Sequence, residues 1–357
     1  MFLFSENCKR LHVIMEVDAM SKTIYDVAKK AGVSIATVSR VLNKKDNVSD
    51  ETKKRVLNAI KELDYVPNMV ASALMTKKMF TLSLLIPDIS NPYFSEIARG
   101  VEDAANNYNY NVIVCNTDYD LKKEAIYLNL LRQKSVDGFI VSSATYNDEN
   151  ICNFDHKKYP LVLLGREIEG AEENKKIDII VSNNVCGGYL ATEHLIELGH
   201  RKIDLILGPK EIKVNQEREK GYRKALQDYE ITVDENRIHS GEFKIKSGYS
   251  KALEILQKKD RPTAIFAGSD VIAIGVLKAA RVLGFKVPGD LSVVGYDNTI
   301  LAEIADPPLT TINQQMYRMG YLAAEMLIKR LRGAKRPIQR IVFDTELVVR
   351  KSSSRPR

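Results

Sequence analysis

Residues 35–43 carry side chains that could read the edges of DNA bases. Val38, Val41 and Leu42 repeat at the spacing of a buried helical stripe. The outer face of such a helix would consist of Ile35, Ala36, Ser39, Arg40 and Asn43. An arginine in the major groove can pair with both acceptors of a guanine, and small apolar side chains can contact a thymine methyl. The predicted chemistry is recognition of double-stranded DNA, with Arg40 reading a base.

Other side chains in the same region suit phosphate, a contact that positions a protein on DNA without reading sequence. These hydrogen-bonding residues are Thr23, Tyr25, Thr37, Ser39 and Asn43. The net charge follows the same division, because residues 20–79 hold twelve Lys and Arg against six Asp and Glu. Residues 80–332 hold 32 against 35, and residues 333–357 hold seven against two. A basic head on a near-neutral body predicts a polyanion-binding module joined to a part with a separate task.

The elements that would position these residues can be read from the same stretch. Apolar residues from Ile24 to Ala31 repeat at helical spacing, and Gly32 stands where a helix would end and turn. Ser34 can cap the second helix, and a capped, acidic start at Ser49 predicts a third. We therefore expect an all-α, three-helix, helix-turn-helix domain over residues 20–66, preceded by a disordered extension over residues 1–19.

Residues 67–79 predict a short hinge helix or linker after the break at Pro67. A helix of this length is not stable alone in water and would order only against a partner. Leu74 is an apolar side chain that could wedge into a minor-groove step and kink the duplex. A plain linker with helical propensity is the alternative.

From residue 80 to residue 352 short apolar strands alternate with amphipathic helices. This alternation predicts parallel sheets covered on both faces, and the number of units predicts two doubly wound subdomains. Ligands in such folds bind at the carboxyl ends of strands, here in the cleft between the subdomains. Residues 353–357 are expected to form a tail.

The strand ends supply candidate ligand-binding residues. Tyr93 and Phe94 follow the first strand of the body, and Asp270 and Asp297 follow later strands. Arg218 is expected to open a helix. Charged planar groups can bracket hydroxyls while aromatic rings stack on C–H faces, so the mixture suits a neutral polyhydroxyl ligand. Solvated strand ends are the alternative for each residue.

The segments TIYDVAKKAGVSIATVSRVLN, VSDETKKRVLNAIKELDYVPN and ASALMTKK resemble the DNA-binding headpiece and hinge helix of LacI/GalR-family bacterial transcription regulators. The resemblance continues to about residue 350. It implies base contacts for Ile35, Ala36 and Arg40, and an intercalating role for Leu74. It also implies a homodimer whose hinge helices pair in the minor groove. Ser72 departs from the family, which usually has Arg there.

The body resembles the periplasmic-binding-protein-like effector domain of the same regulators, above all those of the ribose-repressor type. The resemblance places Arg218, Asp270, Asp297 and Gln314 on effector-contacting positions. The positions that match the ribose-type pattern are Arg166, Phe94 and Phe243. Gly165 stands where the family usually has Asp, and the chain has no Trp, so a carboxylate and an indole platform are missing.

Several protein classes are disfavoured. No apolar run approaches the roughly 18 residues that cross a bilayer, and residues 1–20 are too polar for a signal-peptide core. The four cysteines and five histidines are scattered without metal-ligand spacing. Phosphate-loop and hydrolase motifs do not appear. We expect no metal, no cofactor, no catalytic residue and no membrane association, and a cytoplasmic protein that is not an enzyme.

The function expected from these features is repression of a carbohydrate-utilisation operon, relieved when a small sugar binds in the cleft. One alternative is a co-repressed regulator of the catabolite-control type, which a phosphoprotein or metabolite holds on DNA. The basic amphipathic stretch with Lys329, Arg330 and Arg332 resembles the surface on which such regulators dock a phosphocarrier protein. The alternative from another class is a non-regulatory sugar-binding protein or cleft enzyme.

Overall fold

The computed structural model describes residues 22–42, 48–65, 78–133, 136–142, 149–156, 158–168 and 177–357. The chain divides between Met79 and Phe80 into two compact units, here called the head and the body. Within the described ranges, no helix is both long enough and apolar enough to cross a membrane.

The head contains the helices α1 (Ile24–Ala31), α2 (Ile35–Leu42) and α3 (Asp50–Leu63). Gly32 ends α1 in the left-handed conformation, with φ +61°, which glycine adopts without steric cost. Ser49 caps α3 by accepting a hydrogen bond from the Thr52 backbone N–H. The buried residues that join the three helices are Val27, Ala28, Ala31, Val38, Val41, Val56, Ala59 and Tyr65. The predicted helix-turn-helix with a closing third helix is confirmed.

The described body contains two six-stranded sheets, in the orders β11-β5-β4-β3-β1-β2 and β12-β10-β9-β8-β6-β7. Neighbouring strands are parallel except β10 and β12. The strands are β1 Thr81–Ile86, β2 Asn111–Asn116, β3 Gly138–Val141, β4 Leu161–Leu164, β5 Asp178–Ser182, β6 Ile203–Leu207, β7 Ile238–Ser240, β8 Ala264–Ala267, β9 Ser292–Asp297, β10 Thr310–Asn313, β11 Arg340–Phe343 and β12 Glu346–Val348.

Helices cover both sheets. They are α4 Pro92–Asn107, α5 Leu121–Arg132, α6 Glu149–Cys152, α7 Asn184–Glu197, α8 Lys213–Asp228, α9 Ile245–Leu256, α10 Asp270–Val282, α11 Ile300–Ile304 and α12 Met316–Leu331. Neighbouring residues of β1 belong to different apolar clusters, Leu84 to one and Leu85 to the other. Burial on both faces explains why the strands read as continuous apolar runs. The predicted pair of doubly wound subdomains is confirmed.

The chain passes between the two subdomains three times, after β5, after β10 and after β11. Hydrogen bonds tie the crossing segments together. The Asn183 N–H donates to the Phe343 carbonyl over 2.9 Å, and Gln315 Nε2 donates to the Asp344 carbonyl over 3.2 Å. Thr345 Oγ1 donates to the Asn183 carbonyl over 3.3 Å. The crossings therefore form one connected hinge between the subdomains.

Candidate functional sites

The outer face of α2 presents the side chains that the sequence assigns to base reading. Ala36 and Arg40 are exposed, and Ile35 and Ser39 are half-buried. Tyr25 on α1 is 68 % exposed. A short side chain beside an exposed arginine allows this face to approach a major groove closely.

Two of the predicted phosphate-binding residues also take part in the hydrogen bonds that cap helices. The Thr23 backbone N–H and hydroxyl each donate to Asp26 Oδ2 over 2.8 Å. These hydrogen bonds lower the pKa of Asp26. The Thr37 N–H donates to Ser34 Oγ over 3.2 Å at the start of α2. Both threonines therefore stabilise the helices that present the reading face.

Four residues singled out in the sequence lie outside the described residues, as does the predicted extension over residues 1–19. They are Asn43, Pro67, Ser72 and Leu74. The predicted hinge helix, apart from its last two residues, falls in the same part of the chain.

A cavity of about 50 Å³ lies between the two subdomains of the body, at the carboxyl ends of their strands. Six predicted effector-binding residues line it: Tyr93, Phe94, Arg218, Phe243, Asp297 and Gln314. The topology brings together side chains that lie more than 200 positions apart in the sequence.

Arg218 lies inside α8, one and a half turns from its start at Lys213, rather than opening the helix as the sequence suggested. Its side chain is buried, and Nε donates to Asn184 Oδ1 over 3.1 Å. The guanidinium carbon sits 3.8 Å from the centroid of the Tyr296 ring. These contacts orient the guanidinium at the cavity wall and leave it little rotational freedom.

Asp297 ends β9 with φ +116°, a backbone conformation that is costly for a residue with a side chain. Gln314 Nε2 donates to Asp297 Oδ1 over 2.6 Å, and a nitrogen of Arg218 lies 3.9 Å from the same oxygen. Burial raises the pKa of Asp297, and the charge of Arg218 opposes that shift. The cavity thus contains one buried carboxyl group held beside a cation and an amide.

Asp270, which the resemblance places on the effector, lies outside the cavity lining. Its carboxylate accepts hydrogen bonds from the Thr299 N–H over 2.7 Å and the Thr311 hydroxyl over 2.6 Å. Burial raises the pKa of Asp270, and these hydrogen bonds oppose the shift. These hydrogen bonds occupy both oxygens of Asp270, so in this structure its side chain holds the segment after β9. A direct effector contact stays a prediction.

Arg166 also lies outside the lining of this cavity. Its Nη1 donates to Glu124 Oε2 over 2.8 Å, and both side chains are buried. The ion pair joins the end of β4 to α5 within one subdomain. Arg166 lines a smaller neighbouring cavity that shares Gly165 with the first one. Its expected effector contact stays a prediction.

Aromatic rings border the cavity from both subdomains. Tyr93 and Phe94 meet edge to face with centroids 4.9 Å apart. Tyr119 of the first subdomain stacks on Phe243 of the second, with centroids 6.2 Å apart and planes 20° from parallel. Rings on two sides and hydrogen-bonding groups between them suit a small ring with apolar C–H faces and polar edges.

A second contact joins the subdomains beside the cavity. Lys213 Nζ lies 3.0 Å from Glu167 Oε2, and the other oxygen of Glu167 accepts from Arg340. Burial opposes ionisation of Glu167, but hydrogen bonds from Arg340 and Lys213 outweigh it and lower its pKa. The ion pair therefore links the first residue of α8 to the opposite subdomain.

Several lining residues were not predicted from the sequence: Tyr119, Ser142, Ser182, Asn184 and Val214. Ser142 and Ser182 end or follow strands, so the strand-end rule that found Tyr93 could have found them. Tyr119 follows a strand by three residues in a left-handed conformation (φ +60°), which the sequence pattern does not reveal.

Two family models match the chain. Residues 23–68 match the bacterial regulatory proteins of the lacI family, and residues 192–353 match a periplasmic binding protein-like domain. The regulator DegA of Bacillus subtilis is 40% identical over 338 residues, which cover 94% of this chain and 99% of DegA.

The ribose operon repressor of Halalkalibacterium halodurans is 41% identical over 331 residues, covering 93% of this chain and 97% of that repressor. The structure of a lac repressor dimer bound to operator and the anti-inducer ONPF matches with a TM-score of 0.82 at 28% identity, covering 93% of this chain and 99% of that one. With both units matched and these relatives aligned over nearly their full lengths, the chain belongs to the LacI family of bacterial transcriptional regulators.

Proposed function

We propose that this regulator represses a carbohydrate-utilisation operon and leaves its operator when a small neutral sugar binds in the cavity of the body. The observation that carries the proposal is the cavity itself, enclosed between two sheets by aromatic rings and buried polar groups. The head supplies an exposed reading face, and the body supplies a separate small-molecule site.

The charges of the cavity favour a neutral ligand. Arg218 and Asp297 lie 3.9 Å apart and both are buried. The guanidinium favours the ionised carboxylate, and with it forms a pair of no net charge. A charged ligand would leave one of them without compensation, which is costly in a buried site. Hydroxyl groups can donate to the carboxyl and accept from Arg218 or Gln314 without a change of net charge.

D-ribose is the first sugar to test, because a close relative is named a ribose operon repressor. The sugar would act by linkage. If DNA and sugar prefer different conformations of the regulator, each weakens the binding of the other by the same factor, typically about 1–3 kcal/mol.

A homodimer completes the proposal. Val282 on α10 and Ile300 and Ile304 on α11 are 61, 54 and 68 % exposed, and α10 and α11 contact each other. Exposed apolar side chains on adjoining elements favour association, and a two-fold dimer would match a pseudo-palindromic operator. We further propose that the protein acts in the cytoplasm and does no catalysis.

The alternative in which a phosphoprotein docks on this regulator is less well supported, because the basic side chains that would receive it already have partners within the chain. Lys329 pairs with Glu325 over 3.0 Å. Arg330 Nη2 donates to Asp178 Oδ1 over 2.7 Å, and Arg332 donates to the Tyr108 carbonyl. A docked phosphate would have to compete with these partners.

The test is an electrophoretic mobility shift with fragments of the source genome, beginning upstream of the genes that flank this one. We expect salt-sensitive binding of one fragment and a loss of affinity of about 5- to 150-fold with saturating D-ribose. The variant Asp297→Asn should bind the fragment but ignore ribose, whereas Asp228→Asn, the same change at an exposed site, should behave as wild type.

Other outcomes decide between the alternatives. Tighter DNA binding in the presence of the sugar would show a co-repressor and overturn release by sugar. Absence of specific, salt-sensitive binding to every fragment would favour the non-regulatory class.

A further inference from the structure

Ser142 contributes an unpartnered hydroxyl to the cavity. It follows β3, its backbone N–H donates to the Leu85 carbonyl over 2.8 Å, and it is only 4 % exposed. Within the part of the chain that the structure describes, its Oγ has no hydrogen-bond partner. A buried hydroxyl without a partner costs free energy unless something bonds to it. A ligand group in the cavity would provide that bond.

Gly165 leaves space beside this hydroxyl. It follows β4 with φ +66°, and its N–H donates to the Ile180 carbonyl over 2.7 Å. A Cβ placed on Gly165 would lie 3.3 Å from Tyr93 Oη and 3.9 Å from Ser142 Oγ. A side chain at position 165 would therefore project toward both hydroxyls and narrow the space between them.

We propose that the space between Tyr93 Oη and Ser142 Oγ is a subsite for one hydroxyl group of the sugar, and that Gly165 keeps this subsite open. The proposal rests on the sugar-sensing function proposed above and specifies where one substituent of the sugar binds. Gly165 then determines specificity, because a larger residue would fill the subsite.

The chemistry of the two hydroxyls selects the substituent. Each hydroxyl can both donate and accept, so a ligand hydroxyl can bond to both at once. Burial raises the pKa of Tyr93, which therefore stays protonated and able to donate. A methylene or a hydrogen atom in the same place would leave Ser142 unpartnered, so a sugar that lacks this hydroxyl should bind more weakly.

The first experiment titrates the full chain with D-ribose and with a set of its monodeoxy analogues by isothermal calorimetry. Ser142→Ala should weaken ribose binding about fivefold, the usual effect of losing one hydrogen bond between neutral groups. Ser83→Ala is the matched control, because Ser83 Oγ is also buried without a described partner but lies in β1 away from the cavity. One monodeoxy analogue should bind wild type more weakly than ribose does, and Ser142→Ala should not weaken the binding of that analogue further.

The second experiment uses Gly165→Ala, which adds the Cβ. We expect at least a tenfold loss of ribose affinity. Gly284→Ala controls for backbone strain, since Gly284 also has a positive φ (+79°) but no atom within 4 Å of an added Cβ. Both variants should lower the melting temperature similarly, and only Gly165→Ala should lose affinity.

The outcomes separate the subsite from the function. If wild type binds ribose and Ser142→Ala binds it as well as Ser83→Ala does, the subsite is wrong and sugar sensing stands. Equal sensitivity of all analogues to Ser142→Ala would also overturn the subsite. If wild type binds neither ribose nor any pentose or hexose tested, the sugar-sensing function fails and the subsite fails with it.

Discussion

Arg40 is exposed on the outer face of α2, whereas Arg218 is buried in the body and hydrogen-bonded to Asn184. The exposed side chain is available to form bonds with DNA. The buried one is preorganised, so it loses little conformational entropy when a ligand arrives. At the scale of single residues, the same side chain type suits two different proposed tasks because its surroundings differ.

Replacing Arg40 with Ala should weaken operator binding by about 1–3 kcal/mol and relax selectivity at one base pair in each half-site. The reason is loss of a bidentate pair with guanine. Competition binding with operators changed at single positions measures both effects. The exposed Lys29, also in the head, gives a control, since Lys29→Ala should weaken binding uniformly. Equal loss for every sequence with Arg40→Ala would identify Arg40 as a phosphate contact.

At the scale of elements, side-chain contacts beside the cavity join the two subdomains. Lys213, the first residue of α8, reaches across to Glu167, and Phe243, which lies between β7 and α9, reaches across to Tyr119. Whatever separates the subdomains must break both contacts. We infer that they stabilise the arrangement in which the cavity is enclosed.

Replacing Lys213 with Met should therefore weaken the binding of an uncharged sugar about two- to fivefold, the usual range for a partly exposed ion pair. Wild-type affinity should fall as salt rises although the sugar carries no charge, because salt screens the pair. Lys213→Met should bind with almost no salt dependence. Calorimetric titrations at salt concentrations from roughly 0.02 to 0.5 M measure the salt dependence of the sugar affinity.

Lys251→Met is the matched control, because Lys251 pairs with Glu254 within one helix over 2.7 Å. It should keep both the affinity and the salt dependence of wild type. Identical behaviour of the two lysine variants would show that the Lys213–Glu167 pair does not support the enclosed cavity.

At the scale of the whole molecule, the positive charge is concentrated at the ends of the chain. Residues 20–79 carry a net charge of +6, and residues 80–332 carry −3. Residues 80–332 therefore supply no net attraction to DNA, and two heads in one dimer would supply the affinity. The final residues have a structural task, since Ser352 donates to the Val293 carbonyl and accepts from the Thr310 N–H.

The proposed dimer predicts that Ile304→Glu yields a monomer. A carboxylate placed on an apolar interface is costly to desolvate, and a monomer would lose the second half-site. Analytical ultracentrifugation should give half the wild-type mass, and operator affinity should fall at nanomolar protein. Val342→Glu, on the edge strand β11 and 40 % exposed, should remain dimeric. A dimeric Ile304→Glu protein would place the interface elsewhere.

The C-terminal segment predicts a pH dependence of stability. His194 Nε2 lies 2.9 Å from Ser353 Oγ, and His200 Nε2 lies 2.9 Å from the Ser354 carbonyl. Burial lowers the pKa of both histidines. Below the ordinary histidine pKa of about 6.5 the unfolded chain therefore binds more protons than the folded chain does. The contribution of these histidines to stability is complete above that pH and decreases as the pH falls.

A chain that ends at Lys351 should melt several degrees lower at pH 7, at about 2–4 °C per kcal/mol lost. Its stability should also decrease less than that of wild type between pH 7 and pH 5, because both histidines gain access to water. A chain that ends at Arg355 keeps the serine hydrogen bonds and should melt close to wild type. Differential scanning calorimetry at both pH values decides, and an unchanged melting profile for the shorter chain would contradict a structural role for the segment.

Local sequence was enough to predict the elements with long, regular patterns. The stripe of Val38 and Val41 predicts α2 and its outer face, because side chains on a helix repeat every 3.6 residues whatever surrounds them. Apolar runs such as 82–86 and 203–207 predict the inner strands, because a strand covered on both faces is apolar at every position. The short edge strands β7, β11 and β12 were missed, since their residues are partly exposed and have no continuous apolar pattern. The inner strand β10 was also missed, because three of its four residues are polar although it is mostly buried.

Part of the cavity lining can be predicted from the sequence, since Tyr93, Phe94 and Asp297 follow directly from the rule that ligands bind at strand ends. Local sequence does not show that Asp297 faces the cavity while Asp270 faces Thr299 and Thr311, and the folded chain was needed to distinguish them. The same holds for Arg166, whose partner Glu124 lies 42 positions away. A side chain's partner depends on distances between separate strands and helices, which local spacing does not encode.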